Sequence, residues 1–264
     1  MNNNLLTVKD LKIKLASGKS LVKGVSFEIQ KGRVLGIVGE SGSGKTLTCK
    51  AIMQLLSEKL FTVTGSVELT NRNILKMTER EVNAIRGRDI SMIMQNPMTA
   101  FNPVIKIGNQ IIETLRSHLT ITKKEAYEMG IKELKKMNLK RVEEIMNSYP
   151  YTLSGGMLQR IMIAISLMLK PSVIIADEAT TAIDVKTQSI ILSEFEKMRD
   201  NNIGLIIVSH DFGVIAQIAD EVVVMKDGEI IESGIVCDIF DNPRREYTKE
   251  LLSARFLREE VELC

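Results

Sequence analysis

A glycine-rich loop near the N-terminus carries residue types that bind a phosphate chain. It follows the apolar run Val34–Val38 and precedes a segment of helical character. Glycines let the backbone N–H groups turn inward, and the start of the following helix adds its positive dipole end. The loop residues are Gly39, Glu40, Ser41, Gly42, Ser43, Gly44, Lys45 and Thr46. Because the strand, loop and helix context is complete, we prefer a phosphate site to a glycine turn that only packs.

The last two residues of this loop predict different contacts, one with the nucleotide and one with its metal ion. Lys45 should reach the β and γ phosphates of ATP, where a charge-assisted hydrogen bond contributes about 1.5 to 3 kcal/mol. Thr46 offers a hydroxyl group to Mg²⁺. The sequence therefore predicts ATP and Mg²⁺ as the bound cofactors.

Two acidic residues follow a second apolar run, residues 173–176. Asp177 and Glu178 are consecutive, so their side chains should leave the strand on different sides. Asp177 suits the Mg²⁺ shell because hard cations prefer oxygen ligands. Glu178 is then free to polarise an attacking water molecule as a general base.

A histidine follows a third apolar run, residues 205–208. Parallel strands bind ligands at their carboxyl edge, so His210 should lie near Glu178, within reach of the γ phosphate. The second histidine, His118, is expected on an exposed helical face. His210 is therefore a catalytic candidate because of its position only.

The apolar patterns indicate an α/β fold in which one composite domain spans residues 1–264. Short runs rich in β-branched residues fit strands buried on both faces of a parallel sheet. Alternating runs at residues 5–15, 25–29 and 65–69 predict an N-terminal β layer. Helical periodicity at residues 107–118, 123–137 and 157–169 predicts a helical insert over about residues 96–170.

Composition argues against some classes of partner and location. The formal net charge is +2 and aromatic residues make up 4% of the chain, which does not favour nucleic-acid binding. The longest apolar stretches, such as residues 161–169, are far shorter than a membrane span of roughly 18 residues. Residues 1–10 lack the pattern of a secretory signal, so we expect a cytosolic location.

Taken in order, GESGSGKT, Gln95, LSGGMLQR, VIIADE, TTAID and SHD resemble the motifs of ABC transporter ATP-binding subunits. The resemblance covers nearly the whole chain, and the LSGG block is its most specific part. It implies a P-loop NTPase fold with a RecA-like parallel-sheet core, an N-terminal antiparallel β subdomain and the helical insert. It also implies a head-to-tail pair of such subunits.

In that pair, the resemblance assigns roles to five further residues. Ser154, Gly155 and Gly156 of one subunit would complete the ATP site built on the phosphate loop of the other. A helix N-cap at Ser154 with glycines in a turn is the plainer interpretation, and both hold together. Gln95 would sense Mg²⁺ or the attacking water, and Asp184 would communicate across the dimer.

The chain departs from the family pattern in two places. An aromatic residue upstream of the phosphate loop usually stacks on adenine, but residues 15–19 read LASGK, and Phe27 is the only aromatic residue before Gly39. Adenine is then held by apolar contact alone. Ala179 stands where proline is common, which should have a mild effect.

The C-terminal segment, about residues 235–264, and QNPMTAFNP at residues 95–103 resemble the peptide and nickel importer branch. They predict nickel ion or a nickel chelate as cargo, with a dipeptide, oligopeptide or metallophore importer as the alternative. The implied partners are a second related nucleotide-binding subunit, identical or different, two integral membrane permeases and an extracellular or periplasmic substrate-binding protein. The subunit would then sit peripherally on the cytoplasmic face of the membrane.

Two other classes are weighed against this interpretation. A soluble ABC ATPase outside transport generally has a long coiled-coil insert or two nucleotide domains in one chain, and neither is present in the sequence. A module that senses nucleotide without turnover is disfavoured because Glu178 and His210 are intact.

Overall fold

The computed structural model describes residues 3–179 and 185–256. The elements of its first half are β1 (Asn4–Leu15), β2 (Ser20–Gln30), β3 (Val34–Val38), α1 (Lys45–Ile52), β4 (Phe61–Leu69), β5 (Arg72–Asn73), α2 (Glu79–Ile85), β6 (Ile90–Ile93), α3 (Ile107–His118) and α4 (Lys123–Lys136). Those of its second half are α5 (Val142–Asn147), α6 (Gly155–Met168), β7 (Val173–Asp177), α7 (Val185–Asp200), β8 (Gly204–Val208), α8 (Phe212–Ile218), β9 (Glu221–Lys226), β10 (Glu229–Ile235), α9 (Val236–Asp241) and α10 (Glu246–Phe256).

The N-terminal strands form an antiparallel sheet in the order β2-β1-β4-β5. Leu11 and Ile13 of β1 are completely buried. They belong to one hydrophobic cluster with Leu35 and Ile37 of β3, so this layer packs on one face of the central sheet. The predicted N-terminal β layer is confirmed.

The central sheet has six strands in the order β10-β9-β3-β8-β7-β6. Strands β3, β8, β7 and β6 run parallel, β9 runs parallel to β3, and only the edge strand β10 is antiparallel. All residues of β3, β7 and β8 are buried, because these strands are covered on both faces. The predicted α/β class is confirmed, but the sheet is mixed, and β9 and β10 were not predicted.

Helices α3 to α6 lie between β6 and β7 in the chain and account for the predicted helical insert. The prediction for α3 matches its observed bounds, and α4 ends one residue early, at Lys136. Helix α6 begins at Gly155 instead of Met157, because Ser154 caps it and brings both glycines into its first turn.

The C-terminal elements pack against the sheet. The side chains of Val236, Phe240 and Tyr247 are buried in the main hydrophobic cluster, and Phe240 contacts Phe212 edge-on at a ring distance of 5.5 Å. Among residues 3–179 and 185–256, no helix is long and apolar enough to cross a membrane.

Candidate functional site

The glycine loop joins β3 to α1 and depends on its glycines for two reasons. A Cβ atom on Gly39 would collide with the carbonyl oxygen of Met225, so only glycine fits this close approach of two backbones. Gly42 and Gly44 have φ angles of 84° and 105°, which side-chain-bearing residues rarely adopt. Gly44 is the N-cap of α1 and supplies no side-chain cap, so the first N–H groups of the helix are left for a ligand.

Lys45 lies over its own loop. Its Nζ atom donates to the carbonyl oxygens of Gly39 at 2.8 Å and Glu40 at 2.9 Å. The side chain is buried, with 6% of the residue exposed, so its position is fixed by the loop. A phosphate chain in the loop would meet an ammonium group that is already oriented.

The Thr46 hydroxyl donates to Oδ1 of Asp177 at 3.1 Å, which joins the loop to the end of β7. Asp177 is 2% exposed. Burial raises the pKa of its carboxyl group, and the charge of Glu178 raises it further, against the opposing effects of Thr46 and two lysines. The Thr46 hydroxyl and the Asp177 carboxylate are two hard oxygen ligands, and the buried carboxylate gains from added positive charge, so the pair fits Mg²⁺.

Side chains that follow three adjacent strands lie close together at Glu178. Its Oε2 atom accepts a hydrogen bond from Nε2 of Gln95 at 2.5 Å and lies 3.7 Å from Nδ1 of His210. Gln95 follows β6 and His210 follows β8, and both strands flank β7 in the sheet. The carboxyl edge of a parallel sheet therefore brings these side chains together, as the sequence predicted for Glu178 and His210.

A cavity of 490 Å³ lies between these groups. It is lined by Gly39, Glu40, Ser41, Lys45, Glu178, His210, Phe212 and Leu251. The polar members are all residues that the sequence singled out. The two apolar members, Phe212 of α8 and Leu251 of α10, were missed because nothing in the local sequence connects them with the loop.

The serine-glycine segment lies apart from this cavity. Ser154 is exposed and caps α6, accepting a hydrogen bond from the Met157 N–H at 3.3 Å. A Cβ atom on Gly155 or Gly156 would meet no atom within 4 Å, so neither glycine is needed for packing inside the chain. The structure therefore does not bring Ser154 to the loop of its own subunit. Asp184 lies outside the described residues.

Phe27 cannot serve as a base-stacking residue. It pairs with Val8 across the antiparallel sheet and is 9% exposed, within the core. An apolar side chain lies beside the loop instead: a Cβ on Gly44 would lie 3.2 Å from Cγ2 of Val22. The expectation of apolar contact with adenine thus stays a prediction.

His118 differs from the sequence expectation. It is half-buried, and it lines a cavity of 440 Å³ between α3, α6 and the end of α2. Burial lowers the pKa of its imidazole, and the charge of Arg88 lowers it further. The prediction of an exposed face was wrong because the helical pattern does not show which neighbouring elements cover that face.

Comparisons with a family model, with related sequences and with solved structures give the same family. A family model described as ABC transporter matches residues 22–181. The metal-staphylopine import system ATP-binding protein CntD of Staphylococcus aureus is 44% identical over 95% of this chain and 93% of its own length. The oligopeptide transport ATP-binding protein AppD of Bacillus subtilis is 41% identical over 96% of this chain and 78% of its own length.

The solved structures agree with these relatives. The dimeric structure of a post-hydrolysis state of the ATP-binding cassette MJ0796, bound to ADP and Pi, is 25% identical, with a TM-score of 0.78. The match covers 88% of this chain and 98% of that one. This chain therefore belongs to the ABC transporter family, as one of its ATP-binding subunits.

Proposed function

We propose that this protein hydrolyses ATP to drive a membrane importer. The observation that carries the proposal is the single cavity in which the phosphate loop faces Glu178 and His210, with Gln95 bonded to Glu178. A purely structural glycine turn would not need a carboxylate, an amide and an imidazole converging at the ends of three strands. The arrangement suits in-line attack of water on a γ phosphate.

Each side chain has a distinct task in that reaction. Lys45 holds the β and γ phosphates, and the N–H groups at the start of α1 surround them. Thr46 and Asp177 would hold Mg²⁺, which when bound neutralises charge on the phosphate oxygens. Glu178 accepts a proton from the attacking water, Gln95 orients that water, and His210 donates a hydrogen bond to the γ phosphate.

The serine-glycine segment is the part that a second subunit uses. Ser154 and Gly155 are exposed at the start of α6, where a helix N-terminus favours an anion. We therefore propose a head-to-tail pair, with an identical or related subunit, in which this helix start contacts the nucleotide on the other phosphate loop. Closure around ATP and release after hydrolysis would be the two states of the cycle.

A permease contact is supported by the cavity of 440 Å³ that His118 lines. Its walls combine apolar and polar residues, Met92, Phe101 and Met162 among the former and Arg86 and Gln110 among the latter. Such a mixture suits the end of an amphipathic helix. In this proposal each nucleotide-binding subunit of the pair docks one of the two permeases at this cavity, which places the subunit on the cytoplasmic face of the membrane. A substrate-binding protein delivers the cargo to the permeases.

For the cargo, we propose a metal chelate, with a di- or oligopeptide as the alternative. The first is supported by the similarity to a metal-staphylopine import protein and the second by the similarity to oligopeptide and dipeptide transport proteins. Nickel, which the motifs favour, stays a prediction about the metal. Uptake of radioactive nickel chelate and of labelled dipeptide, measured in cells with and without this gene, would separate these cargoes.

The hydrolytic assignment is tested by Glu178→Gln in the full-length chain. Phosphate release should fall by roughly 10² to 10⁴, because general-base action typically contributes that factor. ATP affinity should stay within about twofold, since the side chain keeps its shape. Glu196→Gln, on an exposed part of α7, is the matched control. Unchanged turnover in Glu178→Gln would reject the proposed base.

A further inference from the structure

The backbone of Glu178 is held in a conformation that this residue type rarely adopts. Its φ angle is 50°, in the left-handed region. Residues in that region persist only where surrounding contacts fix them, and they are concentrated at functional sites. The contacts on either side of Glu178 therefore fix the backbone from which its carboxylate reaches towards Gln95.

Two hydrogen bonds flank this residue. The N–H of Glu178 donates to the carbonyl oxygen of Val208 in β8 at 2.9 Å. The carbonyl oxygen of the next residue, Ala179, accepts from Nε2 of Gln159 at 2.9 Å. Gln159 and Ala179 are each 3% exposed, so this second bond is shielded from water.

Gln159 belongs to the same helix as the serine-glycine segment. It lies on α6, little more than one turn beyond the N-cap Ser154. Backbone hydrogen bonds between residues four apart join the first turns of an α-helix, so Gln159 is mechanically connected to the helix start. A shift of the helix start therefore carries the Gln159 amide with it, and through that amide the backbone beside Glu178.

We infer that Gln159 is a positioning residue, which holds the Glu178 carboxylate in place and links it to the exposed start of α6. The inference rests on the proposed function, in which the partner's nucleotide binds that helix start. Binding of ATP on one subunit would then set the geometry of the general base on the other. Neither Gln159 nor Ala179 needs to touch the nucleotide.

The experiment compares Gln159→Met with Gln54→Met in the full-length chain. Methionine preserves length and removes the donor. Gln54 also donates a side-chain amide to a backbone carbonyl, that of Ile74, away from the cavity, so its variant controls for loss of such a bond. In Gln159→Met, kcat for phosphate release should fall at least tenfold, because small misplacements of a reacting group are costly. KM and ATP affinity of Gln159→Met should stay within about twofold of the native values. In Gln54→Met, kcat, KM and ATP affinity should all stay within about twofold of those values.

A double variant separates positioning from general damage. Gln159→Met should lower turnover strongly in the native background. In the Glu178→Gln background it should lower turnover by less than a further twofold, because the two residues act as one unit. Additive effects would overturn the inference. So would a loss of folded protein with unchanged kcat per folded molecule, which is the result of a purely structural role.

Hydrogen exchange tests the same contact without relying on turnover. Exchange in peptides spanning residues 173–179 should rise at least tenfold in Gln159→Met and stay at the native rate in Gln54→Met. Equal protection in both variants would overturn the inference. A native chain that binds ATP but never hydrolyses it would reject the proposed function, while the exchange comparison would still decide whether Gln159 fixes this backbone.

Discussion

The hydroxyl group of Tyr247 accepts a hydrogen bond from the backbone N–H of Glu40 at 3.2 Å, and so joins helix α10 to the phosphate loop. The contact is reinforced from two sides. Nζ of Lys226 lies 4.3 Å from the centre of the Tyr247 ring. The carboxylate of Glu232 accepts from the N–H of Arg244 at 2.7 Å, just before α10 begins. The C-terminal helix is therefore part of the support of the loop.

Replacing Tyr247 by phenylalanine should weaken ATP binding. The change leaves the Glu40 N–H without its acceptor, and a hydrogen bond of this kind contributes about 0.5 to 1.5 kcal/mol, or roughly a two- to tenfold change in Kd. Titration with a fluorescent ATP analogue measures it. Tyr127→Phe, in the helical part and 36% exposed, should leave Kd unchanged. Equal affinities of the two variants would show that the loop keeps its shape without this contact.

Replacing Lys45 by methionine should reduce ATP affinity by roughly 10- to 100-fold. The expected loss corresponds to about 1.5 to 3 kcal/mol for hydrogen bonds made by a charged group. Calorimetric titration with ATP and Mg²⁺ gives the affinity directly. Lys59→Met, in an exposed segment, is the control for loss of one positive charge. If both variants bound ATP equally well, the loop would not hold the phosphates.

Acid should destabilise the native chain more than it destabilises the variant His118→Gln. Burial and then Arg88 lower the pKa of His118, so the folded state favours the neutral imidazole. This contribution to stability is present above the ordinary histidine pKa and is lost as the pH falls through the lowered value. The melting temperatures of the native chain and of the variant, measured from pH 7.5 to 5.5, should converge as the pH falls. The chain has two histidines, and His210 is present in both proteins, so the comparison isolates the contribution of His118.

The sequence predicted which side chains lie together around the glycine loop, because the determinants of their placement are local. The apolar runs of β3, β7 and β8 specify strands buried on both faces, and a parallel sheet then places the residues that follow them at one edge. For that reason Thr46 lies within hydrogen-bonding distance of Asp177, although the helical insert lies between them in the sequence.

Contacts between distant elements were not predictable in the same way. Tyr247 lies in the C-terminal segment that resembles the importer branch, and neither its burial nor its bond to Glu40 follows from the residues around it. The run at β9 is apolar enough for a strand, but its pairing with β3 is set by packing, not by local pattern. Gln159 lay inside a recognised motif, and only the structure shows that its amide reaches Ala179.

The exposed helix start offers the most direct test of the two-subunit site. Replacing Gly155 by alanine should leave the melting temperature unchanged or slightly higher, because a Cβ there meets no atom within 4 Å and alanine favours helix more than glycine. The affinity of the isolated chain for ATP should also stay the same. Phosphate release should nevertheless fall at least tenfold, because the added methyl group would separate the helix start from the partner's γ phosphate. Native turnover in Gly155→Ala, measured over a range of protein concentrations, would mean that this segment faces no nucleotide.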